Sequence, residues 1–94
     1  MPRYYKRRWD ETRGDQYDTW GRSLWLFEAD EVGNVLRQVE LYDGGQRLRY
    51  DQNRLNDSYG GLSDQPLELS DFAPFEIDAT EFQAVWSSPG WTNA

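Results

Sequence analysis

Residues 22–51 read RSLWLFEADEVGNVLRQVELYDGGQRLRYD, and this stretch decides the fold. Three runs rich in β-branched, aromatic and aliphatic residues are separated by two turn segments. The first turn, Asp30-Glu-Val-Gly-Asn34, contains Gly33, and the second is Asp43-Gly44-Gly45. Glycine at such places supplies the positive φ that tight turns require. The expectation is a three-stranded antiparallel meander.

Cross-strand chemistry selects a register. A four-residue loop over 31–34 sets Asp30 beside Val35 and pairs Leu24 with Leu41, Leu26 with Val39, Glu28 with Arg37 and Arg22 with Asp43. A two-residue loop of Gly44 and Gly45 pairs Leu41 with Leu48, Val39 with Tyr50 and Glu40 with Arg49. A three-residue loop would instead oppose Val39 to Arg49 and Leu41 to Arg47, so the two-residue loop is preferred. A slip of one residue exchanges the two faces of a strand. The chosen register gives one core face of Leu24, Leu26, Val39, Leu41, Leu48 and Tyr50. The opposite, mixed face carries Trp25, Phe27, Leu36, Gln38, Glu40, Tyr42, Arg47 and Arg49.

Outward from the meander, residues 3–9 alternate in a way that suits a first strand. Its lysine and arginines would discourage edge-to-edge pairing. Residues 10–21 and 52–61 read as loops, and 66–72 as a short helical turn capped by Ser63 or Asp64. Residues 75–77 read as a short extended piece. Asp78-Ala-Thr-Glu81 has the form of a capping box, followed by Phe82, Val85 and Trp86 on one helical face, with Ile77 placed as a staple. Pro89-Gly90 stops that helix, and residues 91–94 read as a frayed tail from which Trp91 can fold back. The fold class expected is α+β: an antiparallel sheet of three to four strands, with a C-terminal helix over 79–87 packed on one face. The chain of 94 residues suits a single domain, 1–94.

Composition narrows the chemistry. There is no cysteine and no histidine, which removes disulfides, thiolate sites, the usual neutral-pH acid–base group and the commonest metal ligand. No Gly-rich phosphate loop and no Gly-x-Ser-x-Gly elbow occurs. Residues 51–56 begin like a calcium loop but carry Leu55 and Asn56 where a ligand and a glycine are needed. The expectation is therefore no enzyme, no cofactor and no metal. No apolar run reaches the length of a membrane span, so no membrane association and a cytoplasmic location are expected.

The net charge of −7 lies wholly in residues 51–94, because acidic and basic groups cancel in residues 1–50. General nucleic-acid binding is thereby disfavoured, and a basic protein partner is favoured. Arg13-Gly14-Asp15 spells an adhesion tripeptide and Asn56-Asp57-Ser58 a glycosylation sequon; without a secretory route neither carries weight.

Arg37-Gln-Val-Glu-Leu-Tyr-Asp-Gly44, with Phe75-x-Ile77 and Glu81-Phe-x-x-x-Trp86, resembles a family of small bacterial domains of unknown function. The likeness spans residues 20–87, and residues 3–9 are more basic than its pattern. The resemblance implies the fold and no activity.

These observations lead to an expected non-enzymatic protein-interaction module, of which an immunity or antitoxin-like inhibitor of a basic partner is one form. The residues expected to carry partner binding are Trp25, Phe27, Tyr42, Arg47 and Arg49 on the mixed face, with Asp57, Asp64, Glu68 and Asp71 from the acidic half. Hot spots favour such aromatic and arginine residues. One alternative is a small-ligand-binding domain using the aromatic sheet face. Another is a single-strand nucleic-acid binder working through the basic aromatic segment 4–9. The aromatics would serve no ligand if the first strand or residues 66–72 covered them completely.

Overall fold

A computed structural model describes residues 1–93. Its elements run β1 (Arg3–Trp9), β2 (Ser23–Ala29), β3 (Val35–Tyr42), β4 (Arg47–Tyr50), β5 (Asn56–Asp57), β6 (Gly60–Gly61), α1 (Leu69–Phe72), β7 (Glu76–Ile77) and α2 (Ala79–Trp86). Short 3₁₀ turns occupy Asp18–Trp20 and Ala73–Phe75. The main sheet is antiparallel with strand order β4-β3-β2-β1-β7, and β5 and β6 form a separate small hairpin. The architecture is α+β, as the sequence suggests, and the meander over 22–51 supplies three of the five strands. No helix among the described residues is long and apolar enough to cross a membrane.

The basic segment is indeed a strand. β1 pairs along its whole length with β2, from Arg3 opposite Ala29 to Trp9 opposite Ser23. On its other side β7 pairs only with Tyr4 and Tyr5. Lys6 to Trp9 therefore form an outer edge, where long charged side chains oppose pairing with another sheet.

The first hairpin has the expected central register: Leu24 faces Leu41, Leu26 faces Val39 and Glu28 faces Arg37. The pattern then shifts at a bulge, because Ala29 lies opposite Val35. Asp30 N donates to the Asn34 carbonyl at 3.0 Å, so Asp30 faces Asn34 rather than Val35. The Asp30 carboxylate accepts from the backbone N–H groups of Val32 and Asn34, which fixes this tighter loop.

The second hairpin departs from the expectation. Tyr42 N donates to the Gln46 carbonyl, and Gly45 N donates to the Tyr42 carbonyl, each at 2.9 Å. The loop is thus the three residues Asp43, Gly44 and Gly45, with Gly45 at φ +96°. This is the turn-plus-left-handed-glycine geometry that three-residue hairpins favour. Val39 faces Arg49, Glu40 faces Leu48 and Leu41 faces Arg47. The expected Glu40–Arg49 pair does not form. Leu48 and Tyr50 move to the face of Trp25 and Phe27, and Arg47 and Arg49 move to the helix face.

The cause lies outside the hairpin. The helix face offers the arginines two indole rings. The Arg47 guanidinium lies 4.5 Å from the Trp91 ring centre, and Arg49 lies 4.8 Å from Trp91 and 5.3 Å from Trp86. Arg49 also donates to the Trp86 carbonyl, and Arg47 to Pro89 O and Ser88 Oγ. An arginine on that face is stacked and hydrogen-bonded, not buried bare.

Each sheet face has its own core. On one, Leu26, Val39, Phe82 and Trp91 are buried, and Leu24, Leu41, Ile77, Val85 and Trp86 pack around them. Helix α2 is seated here, and its N-terminus is capped by Asp78, whose carboxylate accepts from Glu81 N at 2.8 Å. Glu81 does not reach back to close the box; it pairs with Lys6. Over residues 91–93 the tail is not frayed, and Ala94 lies outside the described residues. Thr92 N donates to Arg47 O at 2.7 Å, Thr92 Oγ1 accepts from Arg47 N, and Asn93 Nδ2 donates to Arg49 O. Residues 91–93 thus cover the β4 edge. On the other face, Tyr42, Leu48 and Tyr50 are buried beneath Trp20, Tyr59 and Leu62 from the loops.

Candidate functional site

The sheet face opposite α2 is built from residues that the register lines up across the strands. One row is Trp9, Ser23 and Tyr42, the next is Arg7, Trp25, Glu40 and Leu48, and the third is Tyr5, Phe27, Gln38 and Tyr50. The loop over 10–21, the β5–β6 hairpin and the segment around α1 partly cover this face. Phe72 closes one side by packing edge-on against Tyr5 and Phe27, at ring-centre distances of 5.8 and 5.7 Å. Trp20 and Tyr59 close the other.

Two adjoining hollows remain, and Trp9 and Trp25 line both. The larger, about 350 Å³, is polar and has Glu40, Tyr42, Arg13 and Ser23 among its lining groups, with Glu11 and Asp15 at its mouth. The smaller, about 190 Å³, is walled by Phe27, Leu67 and Phe72, with Arg7 and Ser63 as its polar members. Trp9 is half exposed at the junction.

The polar floor is a connected network. Glu40 is only 3% exposed. Its two oxygens accept from Tyr42 Oη at 2.5 Å and from Gln38 Nε2 at 2.9 Å. Burial raises the Glu40 carboxyl above its ordinary pKa, opposed by those two hydrogen bonds and by Arg13 at 3.9 Å. Burial, and then the nearby Glu40 charge, pushes the Tyr42 phenol up as well. The Arg13 guanidinium is fully engaged: it donates to Asp15, to Tyr42 Oη at 3.1 Å and to the Tyr59 carbonyl. It also lies 5.2–5.7 Å from the ring centres of Tyr17, Trp20 and Tyr42. Burial works against its charge, but Asp15 and Tyr42 outweigh that and hold its pKa above the ordinary value. The side chain at the head of the Arg-Gly-Asp tripeptide therefore points into the protein.

The sequence-derived candidates divide. Trp25, Phe27 and Tyr42 share this face, as expected. Arg47 and Arg49 lie on the opposite face against α2 and the tail, because of the three-residue loop. Asp57 is tied into the fold: Oδ1 accepts from Tyr50 Oη and Tyr59 N, and Oδ2 from Asn93 Nδ2. Burial alone would raise its pKa, but Asn93, Tyr59 and Tyr50 together lower it. Asp64, Glu68 and Asp71 are exposed around α1, where Glu68 accepts from Ser70 Oγ at 3.1 Å.

Trp9, Arg7, Glu40 and Arg13 also belong to the site, although the sequence offers Arg7 and Trp9 only within the basic segment 4–9 and Glu40 only on the mixed face as a partner of Arg49. Alternation along residues 3–9 already placed Arg7 and Trp9 on one face of a strand. Only the pairing of β1 with β2 shows that this is also the face of Trp25. Nothing in residues 10–21 signalled that Arg13 would turn inward.

The chain matches no protein-family model, no curated protein and no solved structure.

Proposed function

We propose that this chain is a binding module for a small organic ligand, held on the aromatic sheet face between β1 and the loops. The observation that carries this reading is the pair of adjoining hollows sharing Trp9 and Trp25. Ligand sites are concave, largely apolar and furnished with a few placed polar groups. The smaller hollow supplies apolar walls, and the larger a pre-organised polar floor. Glu40, Tyr42, Gln38 and Arg13 hold one another in place, so binding would not have to order them.

Other readings draw less support. An acidic inhibitor needs free carboxylates on a shared surface. Asp64, Glu68 and Asp71 are exposed around α1, but Asp57 is hydrogen-bonded inside the fold, Glu76 pairs with Arg3 at 3.2 Å, and Asp78 caps α2. A nucleic-acid binder needs free cations in the basic segment. Arg3, Lys6 and Arg8 are paired with Glu76, Glu81 and Asp43, which leaves Arg7 as the one unpaired cation of the segment among the described residues. Glu40 is a buried carboxyl with a raised pKa, as an acid catalyst would be. At 3% exposure, with both oxygens engaged, it suits a fixed floor better than proton transfer to a substrate.

The test is a heteronuclear NMR titration with benzyl alcohol, following the five indole N–H signals. The expected result is movement of Trp9 and Trp25 while Trp86 and Trp91, on the far face, stay in place. Movement confined to Trp86 and Trp91, or none at millimolar solute, overturns the reading.

A further inference from the structure

The smaller hollow is bordered by Arg7, a cation that the fold leaves unanswered. Nine of the ten basic side chains reach an oxygen of the protein. Arg3, Lys6, Arg8, Arg13, Arg37 and Arg54 lie within 4 Å of a carboxylate. Arg22, Arg47 and Arg49 donate to the carbonyls of Asp10, Pro89 and Trp86. Arg7 alone has neither a hydrogen-bond acceptor nor a carboxylate partner among the described residues. Its guanidinium is not loose, because it lies 5.0 Å from the Phe72 ring centre and 4.7 Å from that of Phe75. Stacking fixes the plane of the group while leaving its five N–H donors unspent.

The surroundings of Arg7 restrict what could use those donors. The hollow it lines is about 190 Å³ and otherwise walled by Trp9, Trp25, Phe27, Leu67 and Phe72. Ser63 is its other polar member, and the Ser63 hydroxyl is already bonded to Gln65. A cavity of roughly 150 Å³ accommodates one benzene ring. A ligand filling this hollow is thus about one ring in size, apolar in its body, and served by a single polar handle. That handle is a planar cation whose natural counterpart is a carboxylate, bound through two parallel N–H···O bonds.

The register also sets the ligand's direction. Arg7, Trp25 and Glu40 are consecutive in one row across β1, β2 and β3. Trp25 therefore separates the cation from the buried carboxyl. An anionic head belongs on the Arg7 side, because the larger hollow sets Glu11, Asp15 and Glu40 against one arginine, Arg13, whose guanidinium already donates to Asp15, Tyr42 and Tyr59.

We infer that the ligand is a small aromatic carboxylate, its ring between Trp9, Trp25 and Phe72 and its carboxylate on Arg7. This rests on the small-ligand reading and names its substrate class. The test titrates three probes of one shape, namely phenylacetate, the neutral phenylacetamide and the cationic phenethylamine, again following the Trp9 and Trp25 signals. Phenylacetate is expected to bind at least about tenfold more tightly than the amide, about 1.4 kcal/mol, and the amine more weakly than either. R7Q should abolish the preference for the acid and leave the amide's affinity in place. R7K, which keeps the charge but lacks the planar fork, should retain only part of it. Thermal melting of both variants shows whether they fold. If acid and amide bind alike, or if folded R7Q keeps the preference, the carboxylate inference falls and the ligand-binding reading stands. If none of the three probes moves Trp9 or Trp25, both fall.

Discussion

Replacing Trp91 by alanine tests both the docked tail and the register of the second hairpin. Trp91 is 8% exposed and shares a core with Leu26, Val39 and Phe82. Truncating a buried tryptophan costs about 3–5 kcal/mol. The lower end applies here, because a short tail relaxes more readily than an internal element. Arg47 and Arg49 each also lose a ring face, worth about 0.5 kcal/mol apiece at a partly exposed site. The sum is about 4 kcal/mol, a large share of the roughly 5–15 kcal/mol that holds a domain of this size together. At about 4–8 °C per kcal/mol the melting temperature should fall by about 15–30 °C. Urea unfolding at low temperature, followed by tryptophan fluorescence, measures the loss directly.

A double-mutant cycle sharpens the test. W91A and R49Q should be coupled by about 0.5–1 kcal/mol, because the guanidinium and the ring are neighbours. The two-residue loop would place Arg49 on the opposite face, where no coupling to Trp91 arises. A W91A loss under about 1 kcal/mol would show that the tail is not docked. A coupling of zero would refute the three-residue loop.

The remaining predictions concern single sites. G33A should destabilise by at least about 2 kcal/mol, because Gly33 has φ +95° and a Cβ there would lie 2.5 Å from the Leu67 carbonyl oxygen; a thermal melt reads it. D78A should cost about 1 kcal/mol by removing the carboxylate that accepts from Glu81 N, measured as a shift in the urea midpoint. E40Q should gain on the natural chain as pH rises. Glu40 has its pKa raised by burial, so the fold favours the protonated carboxyl. Its contribution is complete below the unfolded value of about 4.3 and is lost as pH climbs through the folded value. The stability difference between E40Q and the natural chain, from urea curves at pH 4 and pH 8, should therefore move in favour of E40Q; a difference independent of pH would contradict the buried-carboxyl account.

Much of this fold was legible because its signals are local. Asp78 with Phe82, Val85 and Trp86 announces a capped amphipathic helix whatever lies beneath it. The Glu28–Arg37 pair, at 2.7 Å, and the leucine and valine rows fixed the first hairpin, because both of its strands carry chemistry that discriminates between registers. The aromatic half of the candidate site followed from that hairpin alone, as Trp25 and Phe27 must share a face with Tyr42. What could not be read was the pairing of β1, and with it the arrival of Arg7 and Trp9 beside Trp25. That depends on a contact across a loop from residue 10 to residue 22, which has no periodicity of its own.

The second hairpin shows a more general reason for illegibility. Matching leucine to leucine and glutamate to arginine assumes that one sheet face is apolar and that arginine belongs in water. Here both faces are covered, and arginine serves as a packing residue. Arg37 lies 4.8 Å from Phe82 and 4.9 Å from Trp86, Arg47 and Arg49 flank Trp91, and Arg13 sits among Tyr17, Trp20 and Tyr42. With few aliphatic side chains and fifteen aromatic ones, the chain fills space with rings, and rings accept guanidinium faces. Once arginine counts as a partner for tryptophan, the register that sets Arg47 and Arg49 toward α2 becomes the better one. The same rule isolates Arg7. It has its ring partners, like the other stacked arginines, but lacks the acceptor that Arg13, Arg37, Arg47 and Arg49 each find within the protein.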